Sequence, residues 1–312
     1  MRAIQIVVTP GSGEGRALAT AHRIRDAMES RGWTSRLDPF DDLGRLARWS
    51  ATCSPRFSHL VSVGGDATVS ASAMAAIRHR RPLLPVPAGF GNLFAGTFGH
   101  TDDVDSVVRT IETGDVVWVD AGVRRRSGGI FLCHESYGLI DEIQEAVEDD
   151  RAQPTRRALR LLAYYRMGLR FLLGRLRWSI RVEVDDVVVA RRAVLVTVAN
   201  VRAYGEHLAL TPDASPTDGL LDIVVIPRTT KLELCRRLLK LFLRLPPRED
   251  EVVRCRGRRV AVTVPGRPRE ELRIMPAALP VLVPARDEAA PPLAALQRGD
   301  GAPAVDEPAR AG

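Results

Sequence analysis

Within the first 92 residues, short apolar runs rich in β-branched residues end three times in a glycine-containing turn. The runs are 3–9, 58–63 and 83–86, and the turns after them are Pro10–Gly15, Gly64–Asp66 and Pro87–Asn92. Helical patterns follow the first two turns, to about residue 30 and from about 68 to 79. This alternation predicts a parallel α/β sheet with helices on both faces. Ligands of such sheets bind at the carboxyl ends of the strands, where all three turns fall.

The pattern changes after about residue 115, where short strand-like runs separated by turn residues dominate. These runs are 116–123, 129–135, 178–189, 192–200, 221–226, 258–264 and 281–283, with helical stretches at about 155–175 and 229–244. The predicted fold is a doubly wound parallel-sheet nucleotide-binding domain over 1–115, followed by a mainly-β sandwich domain over 116–285. Residues 286–312 lack periodicity and are predicted to be a disordered tail.

The glycine-rich turns are candidate phosphate-binding loops. Glycine lets backbone N–H groups approach phosphate oxygens, and the positive end of a following helix favours an anion. Each loop alone is also compatible with an ordinary tight turn. A carboxylate beside a phosphate needs compensation, so Asp66 indicates either Mg²⁺ or a hydroxyl whose proton it accepts.

These loops carry a specific resemblance. Thr9–Gly13 is similar to the Asn-Pro-x-Ser-Gly opening of diacylglycerol and sphingosine kinase-like proteins. Gly64–Thr68 resembles their Gly-Gly-Asp-Gly-Thr nucleotide loop, and Pro87–Ala95 resembles their Pro-x-Gly-Thr-x-Asn-x-Phe-Ala segment. In the second half, Asn200–Asp222 resembles the family's Asn-x-x-x-x-Gly and Asp-Gly-x-Leu-Asp blocks, and Met275–Pro284 resembles its closing strands.

The resemblance implies a kinase that transfers phosphate from ATP, with Mg²⁺, to a hydroxyl of diacylglycerol or a related lipid alcohol in phospholipid metabolism. It implies Asp66 as a catalytic residue. The residues that it implies at the nucleotide are Thr9, Ser12, Gly13, Gly64, Gly65, Asp66, Ala67, Thr68, Gly89 and Asn92. A Mg²⁺ position is implied at Asp218, the Leu220 carbonyl and Ser215, although Asp218-Gly219 also fits a plain turn between strands.

Several positions depart from the family pattern. Ala67 replaces a glycine, which would cost about 1 kcal/mol if the position required positive φ. Phe90 replaces a threonine expected to face the nucleotide, and Ala71 replaces a glutamate. Val264–Pro268 stands where the family has Asp-Gly-Glu, whose acidic residues are thought to include the general base. Pro and Arg cannot accept the proton of a hydroxyl.

The lost motif leaves alternatives open. Asp66 could serve as the base, or Glu270 or Glu271 could replace the missing acid, and a slow enzyme would result because base catalysis contributes about 10²–10⁴-fold. A second hypothesis is a catalytically silent binder of nucleotide or lipid. A third is a kinase of a soluble acceptor, since nicotinamide-dinucleotide kinases also use a Gly-Gly-Asp-Gly loop. The Asp218–Asp222 block speaks against the third hypothesis.

The net charge of +7 favours an anionic partner. Residues 151–181 contain nine arginines and no acidic residue, which predicts either a basic amphipathic helix on an anionic membrane or a packed helix with a solvated face. The segment 231–244 is a second such candidate. The four cysteines are scattered, so a reducing cytoplasm is expected, with membrane association open. No nucleic-acid module is visible, and a homodimer is left open.

Overall fold

The computed structural model describes residues 2–138, 179–202, 211–228, 230, 232–233, 236 and 251–285. The helices are α1 (Arg16–Glu29), α2 (Leu43–Thr52), α3 (Asp66–His79), α4 (Leu93–Thr97) and α5 (Val104–Thr113), and a 3₁₀ turn spans Ser12–Gly15. The first strands are β1 (Ala3–Val8), β2 (Thr34–Pro39), β3 (His59–Gly64), β4 (Leu83–Pro87), β5 (Asp115–Arg124), β6 (Ile130–Phe131) and β7 (His134–Gly138). The remaining strands are β8 (Ile180–Val184), β9 (Val187–Ala199), β10 (Leu221–Pro227), β11 (Val253–Gly257), β12 (Arg259–Thr263) and β13 (Glu270–Val283).

The chain packs into two compact units, each discontinuous in sequence. The first takes Met1–Cys133, Ala199–Leu221 and the chain from Leu272 onward, and the second takes His134–Val198 and Asp222–Glu271. The packing therefore divides the chain differently from a single boundary at residue 115, because β5 pairs with β13 over Leu272–Val283 in the first unit. The contiguous domain boundaries stay a prediction.

In the first unit, β1 to β4 form the predicted parallel sheet in the order β2-β1-β3-β4. β13 extends it beside β4, with Val281 opposite Leu83 in parallel register. All four strands run in one direction, so the loops after β1, β3 and β4 emerge at the same edge of the sheet.

Both faces of this sheet are covered by helices, as the sequence predicted. Ile4, Ile6 and Val8 of β1 pack with α1 and α5 in one apolar cluster. Val7 packs with residues of α2, α3 and α4 in the other cluster. The alternation along one strand between two buried faces explains why β1 is apolar except at Gln5.

The strands of the second unit, in the residues that the structure describes, lie in the order β11-β10-β9-β8-β12, and β7 also pairs with β9. The registers of β8 with β9 and with β12 are antiparallel. The prediction placed a break between strands near residue 190, and this was wrong. The chain turns instead at Asp185 and Asp186, both in the left-handed region (φ 46° and 70°), which is the backbone of a two-residue hairpin turn.

Several elements were not predicted, namely β11, α4 and α5, while 129–135 divides into β6 and β7. The predicted helix at 155–175, the basic segment 151–178 and the tail 286–312 lie outside the described residues. Of the segment 231–244, only Leu232, Glu233 and Arg236 are described. Among the helices of the described ranges, none is sufficiently long and apolar to cross a membrane.

Candidate functional site

The loops after β3 and β4 touch backbone to backbone. A Cβ placed on Gly89 would lie 2.5 Å from the Cα of Gly65 and 3.1 Å from its nitrogen. Both separations are far below the contact distance of carbon atoms, about 3.5–4.0 Å. The Ala88 N–H also donates to the Gly64 carbonyl oxygen at 2.9 Å. Only glycine at position 89 permits this approach, so the third turn is fixed against the second.

The loop after β1 joins the same contact. Gly13 has φ 61°, and a Cβ on it would collide with the carbonyl oxygen of Ala88. The Ser12 N–H donates to the Thr9 carbonyl oxygen at 3.0 Å, which closes the turn that precedes the 3₁₀ segment. The three glycine-rich turns predicted from the sequence therefore form one cluster.

Asn92 holds the third loop in shape. Its Oδ1 accepts from the Gly89 N–H at 2.8 Å, and its Nδ2 donates to the Gly89 carbonyl oxygen at 2.9 Å. Asn92 lies in the left-handed region, with φ 49° and ψ 38°. Asparagine tolerates this conformation better than most residues. The side chain thus closes a four-residue turn.

The Asp66 carboxylate caps helix α4. Its Oδ2 accepts from the Leu93 N–H at 3.0 Å, and its Oδ1 accepts from the Phe94 N–H at 2.9 Å. The Cys133 thiol lies near this carboxylate. Burial, and then the nearby charge of Asp66, raise the pKa of the Cys133 thiol well above its usual range, so it stays protonated. The two hydrogen bonds of Asp66 tie the second loop to α4.

The hydroxyls of Thr9 and Thr68 lie 2.9 Å apart and link the first loop to α3. Gly64 leaves room for Thr68, because a Cβ at Gly64 would lie 2.6 Å from the Thr68 Cβ. Ala67 is the second residue of α3, where alanine is a favourable helix former, so the penalty expected for positive φ does not arise. The first N–H groups of α3 have no carbonyl partner within the helix, which suits an anion.

The predicted metal residues lie in the segment 211–220. The Leu220 N–H donates to Asp218 Oδ1 at 3.0 Å, and the hydroxyls of Ser215 and Thr217 lie 3.2 Å apart. Asp218 is exposed and Ser215 is buried. Asp218-Gly219 therefore does form a turn, which leaves the metal role a prediction.

Asp120 is a functional candidate that the sequence reasoning missed. It is 2% exposed, and its two oxygens accept from the N–H groups of Gly219 and Ala277, each at 2.7 Å. Burial raises the pKa of Asp120, these two N–H groups lower it, and the charge of Asp218 raises it further. The signal in the sequence that could have indicated Asp120 is the presence of an acidic residue inside the apolar run 116–121.

The departures from the family pattern have clear structural settings. Phe90 is 90% exposed on the third loop. Ala71 packs at the edge of the apolar cluster around α3. Residues 264–267 form an exposed turn in the second unit, with Gly266 at φ 78° and the Arg267 N–H donating to the Val264 carbonyl oxygen at 3.0 Å. Proline followed by glycine is the sequence preferred for a type II turn.

A parallel sheet with contacting glycine-rich loops at its strand ends is an arrangement at which many α/β proteins bind phosphate groups. Comparison with known proteins makes the class more specific. The family model of the diacylglycerol kinase catalytic domain matches residues 3–123. The model of the YegS C-terminal NAD kinase beta sandwich-like domain matches residues 140–283.

Individual relatives agree with these matches. A diacylglycerol kinase of Mycobacterium tuberculosis (strain H37Rv) is 26% identical over 84% of this chain and 85% of the relative. One of Bacillus subtilis (strain 168) is 22% identical over 85% of this chain and 86% of the relative. The crystal structure of a diacylglycerol kinase from Bacillus anthracis superimposes with a TM-score of 0.66, at 17% identity, over 90% of this chain and 97% of that structure. The chain belongs to the bacterial diacylglycerol kinase-like family.

Proposed function

We propose that this protein is an ATP- and Mg²⁺-dependent kinase that phosphorylates a hydroxyl of diacylglycerol or of a related lipid alcohol. The observation that carries the proposal is the contact of the three glycine-rich loops at the start of α3. Gly65 and Gly89 approach within a distance that no side chain would allow, and Gly13 closes the cluster from the first loop. The relatives suggest the lipid acceptor, since several of them are diacylglycerol kinases.

The reaction is a phosphoryl transfer. The lipid hydroxyl oxygen forms a bond to the γ-phosphorus of ATP, the bond from that phosphorus to the β,γ-bridging oxygen breaks, and ADP leaves. The hydroxyl proton passes to a base. Catalysis of such a step depends mainly on positioning and on stabilisation of phosphate charge. In this chain the backbone N–H groups of the cluster and the first turn of α3 would supply the positive field.

Asp66 is the acidic residue proposed to act at the phosphates. A carboxylate has about four lone-pair positions, and the N–H groups of Leu93 and Phe94 use two of them. The remaining positions suit either Mg²⁺ or the proton of the lipid hydroxyl. The hydrogen bonds from the two N–H groups of α4 orient the carboxylate for that task.

The second proposed element is a Mg²⁺ ion held at Asp218, Ser215 and the Leu220 carbonyl. The chemistry of the donors fits, because Mg²⁺ prefers carboxylate, carbonyl and water oxygens. The charges of Asp218 and Asp120 are close enough for Asp218 to raise the pKa of Asp120, a repulsion that a cation would relieve. Within the described residues there is no cluster of three or more His, Cys, Asp or Glu, so backbone oxygens and waters would complete the coordination.

Transfer of label from γ-labelled ATP to lipid tests the proposal. The wild-type protein is incubated with Mg²⁺ and a total bacterial lipid extract, beside Asp66→Asn and Asp103→Asn. Asp103 is a matched control, since its carboxylate caps α5 by accepting from the Ser106 N–H at 2.9 Å, as Asp66 caps α4. We expect labelled lipid from the wild type and from Asp103→Asn, and a loss of at least about 100-fold in Asp66→Asn.

The same assay can reject the proposal. Folded wild-type protein that binds ATP but labels no lipid would move the assignment to a nucleotide binder without transfer. Equal loss of activity in both variants would mean that the loss comes from a weakened helix cap and not from the chemistry of Asp66. Omission of Mg²⁺ should abolish labelling, and activity that survives chelation contradicts the metal requirement.

A further inference from the structure

Phe90 stands out among the apolar side chains of the first unit. It is 90% exposed, whereas Leu43, Val116 and Trp118, the other large exposed apolar residues there, are 37–45% exposed. An exposed Phe forgoes the stabilisation that burial of its ring would contribute. Burial in the apolar core therefore does not account for a phenylalanine at position 90.

The loop that carries Phe90 is fixed in place. The preceding Gly89 lies against Gly65, and both of its backbone polar groups are held by Asn92. The following Gly91 would place a Cβ 3.4 Å from the Asp66 carboxylate. The ring is thus mounted on a rigid turn, between two residues that touch the second glycine loop.

We propose that Phe90 is a nucleotide-binding residue whose ring stacks on the base of the bound nucleotide. The inference rests on the proposed function, because it takes the adjacent glycine loops to be the phosphate site. If the neighbouring loops bind the phosphates of a nucleotide, the ring lies near a ligand that also carries a planar base. Stacking needs no hydrogen-bond donor or acceptor from the protein, and every base offers a π-face.

Two consequences follow from this contact. Truncation of the ring weakens the affinity for a nucleotide but not for its phosphates alone. The protein also tolerates different bases, because Phe has no polar group with which to distinguish adenine from guanine.

The experiment measures dissociation constants by calorimetry, with Mg²⁺, for ATP, GTP and inorganic tripolyphosphate. The variants are Phe90→Ala, Phe90→Trp and the control Leu43→Ala, which truncates another exposed apolar side chain. We expect Phe90→Ala to bind ATP and GTP roughly 5- to 150-fold more weakly, the range for loss of one stacked base, with tripolyphosphate unchanged. Phe90→Trp and Leu43→Ala should bind all three ligands as the wild type does.

Each other outcome overturns the inference. Unchanged ATP affinity in Phe90→Ala, with the wild type binding ATP, removes the stacking role and leaves the proposed kinase intact. A weakened partition of Phe90→Ala onto anionic phosphatidylglycerol vesicles would then assign the ring to the membrane. Equal weakening for ATP and tripolyphosphate means that Phe90 supports the loop. A folded wild type that binds neither ligand rejects the proposed function as well.

Discussion

Substitution of Gly89 by alanine tests the backbone contact on which the proposed phosphate site depends. The new Cβ would lie 2.5 Å from the Gly65 Cα and 3.1 Å from Asn92 Oδ1. Since two carbons need about 3.5 Å, the loops must part by about 1 Å. Overpacking of this kind lowers the free energy of unfolding by about 1–3 kcal/mol. The lower entropy of the unfolded alanine chain raises it by about 0.4–1 kcal/mol. The net expectation is a loss of about 1–2 kcal/mol in the free energy of unfolding.

Gly11 provides the matched control. Its φ is −72°, and a Cβ on it meets no atom within 4 Å, so Gly11→Ala should be neutral or slightly stabilising. Urea unfolding gives the two free energies, and titration with ATP gives the affinities. A shift of about 1 Å in one loop should also slow phosphoryl transfer by up to about 100-fold in Gly89→Ala. Identical stability and ATP affinity in the two variants would refute the contact between the loops.

Three further predictions concern buried or replaced groups. Asp120→Asn should destabilise the protein by about 1–3 kcal/mol in urea unfolding, because an amide can accept only one of the two N–H groups that the carboxylate now accepts. Exposed Asp218→Asn should change stability by less than about 0.5 kcal/mol. Burial lowers the pKa of His100 from 6.5 to about 4. The free energy of unfolding is therefore unaffected by this group above pH 6.5 and decreases as the pH falls towards 4, by up to about 3 kcal/mol. His100→Phe should flatten that part of the pH–stability curve. Restoration of the family motif with Pro265→Asp and Arg267→Glu should raise the rate of lipid labelling by up to about 10²–10⁴-fold.

Each of these predictions can be contradicted. Equal stabilities of Asp120→Asn and Asp218→Asn would show that the buried hydrogen bonds contribute nothing net. A pH–stability curve that is the same in wild type and His100→Phe would assign the acid sensitivity to other groups. An unchanged labelling rate after restoration of the motif would mean that the missing acids do not limit the reaction.

The first half of the fold was predictable because its signals are local. An apolar β-branched run followed by glycine indicates both the strand and its end, and these bounds agree with β1, β3 and β4 to within one or two residues. The hairpin at Asp185 and Asp186 was missed because two aspartates without glycine are a weak turn signal. Their left-handed conformation is supported from elsewhere in the second unit, as the N–H groups of Arg258 and Arg259 donate to Asp185 at 2.9–3.1 Å.

The identity of the candidate site residues was also accessible from sequence, whereas their contacts were not. The motif marks Asp66 as an acid beside glycines proposed to bind phosphate, but its hydrogen bonds to Leu93 and Phe94 depend on how α4 packs after β4. Cys133 carries no motif at all. Only the tertiary fold brings it near Asp66.

A chain of hydrogen bonds leads from Cys133, which lies near Asp66, to the segment that holds the predicted metal residues. The Cys133 carbonyl oxygen accepts from the Asn200 N–H at 2.7 Å. Asn200 Nδ2 in turn donates to the Asp120 carbonyl oxygen at 3.0 Å, and the Asp120 carboxylate holds Gly219 beside Asp218.

Every central member of this chain is buried, so breaking one link leaves a polar group without water to replace its partner. The sequence blocks that carry the family resemblance lie as far apart as residues 9 and 284, yet this chain of buried hydrogen bonds runs from Cys133, near Asp66, to the loop proposed to hold a cation.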